Sequence, residues 1–254
     1  MSTLELAVIV IILAFICEYI DSSLGMGYGT TLTPLLLLFG FKPLQIVPSI
    51  LLSEFITGLL ASFFHHRHRN VNFRKGTLDL KIAGLMGALS VVGALVAVFV
   101  AVKLPTFYLK LYIGLIVLAM GVIILITRRR TFAFSWKKLS ILGLLAAFNK
   151  GISGGGYGPI VTGGQIISGV ASKSAVGITS LAEGLTCLVG VGAYFAVTNH
   201  TIDWQLAPYL VTGAVLSVPL ATLTVKKMKG SNLKIAVGVA TLALGIFTLA
   251  KTIL

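Results

Sequence analysis

Apolar residues run along this chain in long blocks separated by short polar breaks. The blocks lie near 4–20, 43–64, 80–102, 107–127, 139–148, 174–197, 205–225 and 233–253. Most are about 20 residues long, enough for a helix rising 1.5 Å per residue to cross a hydrocarbon core of roughly 30 Å. The two-residue alternation of a β-barrel is absent, and backbone in lipid must satisfy its own hydrogen bonds. The pattern predicts an all-α polytopic membrane protein. No basic residue precedes the first block and no small-residue cleavage site follows it, so it is expected to belong to the mature protein.

Two stretches break the pattern with glycine where regular helix is expected. They run from Asp21 to Thr33 and from Lys150 to Thr162. A shift of 129 residues carries Gly25, Gly27, Tyr28, Gly29 and Thr33 onto Gly154, Gly156, Tyr157, Gly158 and Thr162. The match continues without gaps through Gly40/Gly169, Val47/Val176, Leu52/Leu181, Glu54/Glu183 and Thr57/Thr186. The chain therefore reads as a first transmembrane repeat (1–127), a basic cytoplasmic linker (128–138) and a second repeat (139–254), all one membrane unit. Each repeat is expected to hold a broken or re-entrant helical hairpin followed by three transmembrane helices. That is an odd number of crossings, which inverts the second repeat relative to the first.

Charge sets the orientation. Charged residues make up only 11% of the chain, far below the roughly 25% of soluble domains. The net charge of +13 is concentrated in Arg67, Arg69, Arg74 and Lys75; in Arg128, Arg129, Arg130, Lys137 and Lys138; and in Lys226, Lys227, Lys229 and Lys234. Thirteen of the 20 basic residues thus fall in three short loops, the distribution of a positive-inside membrane protein rather than a nucleic-acid binder. With 65–76, 128–138 and 226–234 in the cytoplasm, both termini are expected on the outer side of the membrane. Cys17 and Cys187, far apart in apolar segments, are expected to be buried free thiols.

The chemistry available is polar groups at membrane depth. Irregular backbone there is tolerated only where it is buried in protein or lines a cavity. A helix start beyond such a break offers free N–H groups to an anion. The candidate substrate-binding residues are Ser22, Ser23, Gly25, Gly27, Tyr28, Gly29 and Thr33, then Asn149, Lys150, Ser153, Gly154, Gly155, Gly156, Tyr157, Gly158 and Thr162. Close helix packing through small residues is the alternative reading of the glycines.

Four of the seven acidic residues lie in or beside spans: Glu18, Asp21, Glu54 and Glu183. A carboxylate at the bilayer centre costs about 2.5–3.5 kcal/mol, so its presence points to function. Asp21, Glu54 and Glu183, with Thr57 and Thr186 three residues after the glutamates, are candidates for coupling to protons. A structural hydrogen bond to a neighbouring helix or to the broken backbone is the competing role. Lys150 stands where the first repeat has Asp21, either near a bound anion or snorkelling to an interface.

His65, His66, Arg67, His68 and Arg69 look like a metal cluster, but no cysteine or second histidine group partners them, and a solvated loop is expected. Tyr19, Tyr28 and Tyr157 are candidates to line a cavity, and Trp136 and Trp204 are placed as interfacial anchors. No Ser-His-Asp arrangement, P-loop or zinc motif is present, so neither enzyme activity nor a cofactor nor a metal is expected.

With both motifs in view, the chain resembles the TauE/SafE family of sulfite and organosulfonate exporters. The likeness rests on Gly25-Met26-Gly27-Tyr28-Gly29 with Pro34 and Gly40, on Gly154-Gly155-Gly156-Tyr157-Gly158, on Thr179-Ser180, and on the loop ending Asn70-Val71-Asn72-Phe73. It departs from the usual pattern in the first half, where Tyr28 and Thr30-Thr31 interrupt the glycine run and Pro48-Ser49 stands near the usual Thr-Ser. The resemblance implies a secondary transporter that moves a small sulfur-containing anion, sulfite or an organosulfonate, outward by alternating access. Its partners are that anion and the lipid bilayer. A cation or proton-coupled carrier using Glu54 and Glu183 is the alternative.

Overall fold

The structure, a computed structural model, describes residues 3–101, 106–127, 129–153, 157–198 and 202–253. Among them are ten α-helices and no strand: α1 (Thr3–Leu24), α2 (Tyr28–Leu38), α3 (Pro43–Arg67), α4 (Leu78–Ala101), α5 (Thr106–Ile126), α6 (Trp136–Ser153), α7 (Tyr157–Ile167), α8 (Ser172–Thr198), α9 (Ala207–Lys227) and α10 (Gly230–Ile253). Among the described residues, α1, α3, α8, α9 and α10 each hold a stretch long and apolar enough to cross a membrane. The protein is an all-helical polytopic membrane protein. On α1, exposed Val8, Ile12, Ile16 and Ile20 repeat every four residues, a stripe fit for lipid, while Val10, Ala14 and Cys17 turn inward.

The 129-residue offset survives in three dimensions. It carries α2 onto α7 end to end, and the starts of α3 and α4 onto those of α8 and α9. The helix contacts obey the same exchange: α1 packs on α9 as α6 packs on α4, and α3 on α9 as α8 on α4. Two equivalent pairs pack on each other, α3 with α8 and α5 with α10. Glycines let these backbones approach. Gly114 lies against Leu249, Gly121 against Leu242, Gly238 against Leu125 and Gly245 against Leu118. One number rises as the other falls, so α5 and α10 run antiparallel. The same holds for α3 and α8, where Leu51 meets Gly190, Gly58 meets Gly184 and His65 meets Gly177.

The basic loops meet at one end of the molecule. Lys173 Nζ donates to the Lys226 carbonyl (2.7 Å), and Lys234 Nζ to those of Thr127 and Arg130 (both 2.9 Å). Asn70 Nδ2 donates to the Thr222 carbonyl (2.9 Å), and the Ser135 N–H to the Ser168 carbonyl (3.1 Å). At the opposite end Gln45 Nε2 donates to Asp203 (2.7 Å). Trp136 and Trp204 are both exposed, one on the chain just after the basic 128–130 segment and one beside Asp203.

The first break follows from its glycines. Gly25 (φ 74°) closes the last turn of α1 onto the Asp21 carbonyl at 2.6 Å, and Gly27 (φ 120°) redirects the chain into α2. Both angles are in the left-handed region that side chains resist. The eleven-residue α2 and α7 are about 16 Å long, half a bilayer. The second break falls at Gly154, Gly155 and Gly156, which lie outside the described residues, as do the side chains of Asn149, Lys150 and Ser153 in α6. The apolar run at 139–148 is shorter than the helix, because α6 continues through Asn149 and Lys150 to Ser153. Lysine, a straight-chain residue, loses little rotamer freedom in a helix, and the asparagine and serine stand near its end, where such residues are favoured.

Candidate functional site

A small cavity opens where α1 crosses the α3–α8 pair. It is lined by Glu18, Asp21 and Ser22 of α1, Glu54, Thr57, Gly58 and Ala61 of α3, and Ser180 and Glu183 of α8. The close α3–α8 crossing explains the convergence: a Cβ on Gly58 would lie 2.8 Å from the Gly184 Cα, so only glycine lets the two acid-bearing helices approach this closely. All four membrane carboxyls therefore share one site. Glu18, Glu54 and Glu183 are no more than 9% exposed.

Glu18, Glu54 and Asp21 have hydrogen-bond partners. Glu18 accepts from the Ser22 hydroxyl (2.5 Å) and the Thr57 hydroxyl (3.1 Å). Glu54 accepts from the Gly29 N–H (3.2 Å) and the Cys187 thiol (3.2 Å). Asp21 lies 3.5 Å from the Tyr28 nitrogen. The first two N–H groups of α2, which the sequence suggested were open to a ligand, are thus faced by the chain's own carboxyls. Both cysteines are buried thiols outside any disulfide, as expected.

Just beyond the cavity the first break meets α7. The Thr162 hydroxyl lies 2.9 Å from both the Gly25 carbonyl and Thr179 Oγ1, and Gln165 Nε2 donates to Thr179 Oγ1 (2.9 Å). A Cβ on Gly158 would lie 2.5 Å from the Gly25 carbonyl oxygen and 2.7 Å from the Met26 Cα. Of the sequence candidates, Asp21, Ser22, Glu54, Thr57 and Glu183 share the cavity, while Gly25, Gly158 and Thr162 form this crossing. Thr33, half-buried on α2, and Thr186 do not line the cavity, and the Ser23 hydroxyl turns back to the Tyr19 carbonyl.

Several expectations change. Thr57 donates to Glu18 and lies 3.0 Å from the Ser53 carbonyl; Thr186 donates to the Ala182 carbonyl (2.7 Å). A helical hydroxyl has the carbonyl four residues back within reach, and that bond competes with the neighbouring glutamate. Tyr28 and Tyr157 are core residues rather than cavity walls, their hydroxyls 2.9 Å from Ser53 Oγ and 2.7 Å from Ser90 Oγ. Tyr19 OH lies 2.7 Å from Thr224 Oγ1.

The histidines are not a solvated loop throughout. His65 is fully buried, with Nε2 2.9 Å from the Ser22 carbonyl and Nδ1 3.0 Å from Asn70 Nδ2. Because the Asn70 amide is a donor, Nε2 carries the proton toward Ser22 and ties α3 to the end of α1. Arg67 and Arg69 are exposed. His68, beyond the span, is held below the ordinary histidine range by partial burial and then by Lys226 and Arg67. Among the described residues no group of three or more His, Cys, Asp or Glu side chains is arranged to hold a metal ion.

The site residues missing from the sequence candidates are Glu18, Gly58, Ala61 and Ser180. Glu18 stands four residues before Ser22 on one face of α1, a spacing that signals proximity. Ser180 stood in the Thr179-Ser180 pair of the family resemblance without being assigned to a site, and Ala61 carried no signal.

A helical membrane protein with two glycine-broken hairpins and an ionisable cavity beside the first of them belongs to the class of membrane transporters. The comparison of sequences agrees. The chain matches the family described as "Sulfite exporter TauE/SafE" over residues 10–248 and belongs to it. It is 30% identical over 246 residues to "Probable membrane transporter protein YtnM" of Bacillus subtilis (strain 168), covering 90% of this chain and 78% of that protein. No solved structure matches the chain.

Proposed function

We propose that the protein is a secondary carrier, not an enzyme, that exports a small sulfur-containing anion, sulfite or an organosulfonate, across the plasma (inner) membrane. The antiparallel packing of α3 on α8 and α5 on α10 supports two repeats of inverted topology. Alternating access then moves one repeat against the other about a fixed midplane site. The gathering of the basic loops at one end supports a cytoplasmic placement of that end, with both termini outside.

The observation that carries the mechanism is the placement of Asp21 and Glu54 over the first two N–H groups of α2. A carboxylate there occupies the position where a helix start attracts an anion. Substrate and carboxylate cannot both hold those N–H groups, so anion binding is linked to protonation or displacement of the carboxyls. Thr162, Ser22 and the second break, with Asn149 and Lys150, complete the site in this reading. A membrane potential of 100 mV, negative inside, contributes about 2.3 kcal/mol per exported charge, so the anion needs no other driving force.

Sulfite efflux from loaded proteoliposomes, at set potential and with or without a pH gradient, tests this. Saturable efflux that is lost in Gly158→Leu and depends on pH supports the reading. A second reading, a cation carrier using Glu54 and Glu183, draws on the absence of basic side chains among the cavity-lining residues. It predicts flux that follows the cation species and ignores the anion.

A further inference from the structure

Three side chains on α7 stand three residues apart and each next to the last: Thr162, Gln165 and Ser168 at the helix end. They are 0%, 1% and 0% exposed. Among the described residues, Gln165 Oε1 and Ser168 Oγ have no hydrogen-bond partner. Turning the Gln165 amide over only exchanges the orphan, because the NH2 group then loses Thr179 Oγ1. Buried polar atoms are nearly always partnered, so two orphans one turn apart call for a physical cause.

Position supplies one. At one extreme of the strip, Thr162 touches the Gly25 carbonyl beside the acidic cavity. At the other, the Ser168 carbonyl accepts from Ser135, and Gly169 packs on Phe132–Phe134, at the basic end of the molecule. The strip therefore joins the cavity to that end. It is not an imprint of the repeat: the equivalent positions on α2 are Thr33, Leu36 and Phe39, polar only at the first.

We propose that the Thr162–Gln165–Ser168 face of α7 lines the cytoplasmic half of the permeation path. It is closed to solvent in this structure, where all three side chains are buried, and in the inward-open state it is lined by water and then by a small solute with hydrogen-bonding oxygens. This rests on the carrier reading above and on the cytoplasmic placement of the basic end. The orphaned atoms find partners when the path opens, which makes the closed state a reversible closure rather than a permanent core.

The test is thiol accessibility. Gln165→Cys, Ser168→Cys and, as the control on a neighbouring face, Ile166→Cys are treated with a membrane-impermeant methanethiosulfonate in inside-out and right-side-out vesicles. The wild-type protein, with its two buried cysteines, provides the blank. Reaction at 165 and 168 from the cytoplasmic face about tenfold faster than at 166 is expected, because thiol reactivity follows access. Rates equal to the control, or reaction only from the outer face, overturn the proposal. If either cysteine variant does not assemble, Gln165→Leu decides: slower transport with a higher melting temperature supports the path, and unchanged transport overturns it. Labelling needs no substrate, so wild-type protein that fails to move sulfite sinks the substrate assignment and leaves this result standing.

Discussion

At the first break, Asp21 and Glu54 lie over the N–H groups of Tyr28 and Gly29, and Thr31 on α2 with Phe39 and Gly40 just beyond it are exposed. At the second hairpin every residue from Tyr157 to Ile166 is buried. The glycines and the tyrosine are shared, but the residues before them are not: Glu18 and Asp21 correspond to Ala147 and Lys150. The motif specifies where the backbone breaks, and the flanking residues and packing decide what each break does. The first presents carboxyls to a cavity; the second offers hydroxyl and amide groups on a helix sealed within the protein.

The contrast predicts unequal effects of equivalent substitutions, and the largest is expected at the acids. Glu54→Gln replaces the carboxyl that accepts from both Gly29 and Cys187. The amide cannot exchange a proton, and weakening two hydrogen bonds of about 0.5–1.5 kcal/mol each should lower transport roughly ten- to a hundredfold. Efflux assays on Glu54→Gln and Glu183→Gln check it. Equal losses would erase the distinction between the two repeats at this position.

Gly158→Ala and Gly29→Ala come next, because the same change meets different walls. A Cβ at Gly158 would run into the backbone at Gly25 and Met26, whereas at Gly29 the nearest atom is Glu54 Oε1 at 3.2 Å. Overpacking against backbone costs about 1–3 kcal/mol, and a side chain can yield, so Gly158→Ala should melt well below Gly29→Ala in detergent. The reverse order would show that α7 is not wedged against the first break.

A smaller effect separates the two short helices. Gln165→Leu removes a buried orphan and should stabilise the closed protein by about 1 kcal/mol, while Leu36→Gln at the equivalent place introduces a polar group into the core and destabilises by a similar amount. Thermal melting of the two variants, moving in opposite directions, is the expected result. Smallest of all, Tyr28→Phe and Tyr157→Phe each remove one hydrogen bond of about 1 kcal/mol or less. Tyr28→Phe should cost more, because Ser90 keeps its bond to the Met86 carbonyl when Tyr157 loses its hydroxyl. Identical melting shifts would place the two tyrosines in equivalent surroundings.

Much of this architecture was legible in the chain. Hydrophobic blocks marked the helices, the two glycine clusters marked the breaks, and basic loops marked one end. The four acids could be flagged as out of place in an apolar chain, but not as one cluster, since Glu18, Glu54 and Glu183 come from α1, α3 and α8. Pairing Glu54 with Thr57 by spacing alone missed that Thr57 faces Glu18 across a helix boundary. Likewise His65 read as part of a wet loop, and became buried only because α1 and the Asn70 turn close over it.

The sequence by itself determined the helices, their breaks, the 129-residue repeat and the gathering of positive charge, because each depends on local preference or on transfer from water to lipid. Tertiary structure alone decided which carboxyls share a cavity, which N–H groups they face and which two buried polar atoms at α7 lack partners among the described residues. Those are contacts between helices distant in the chain. They are set by how closely glycines such as Gly58 and Gly184 let the backbones approach, and no periodicity within one segment encodes that distance.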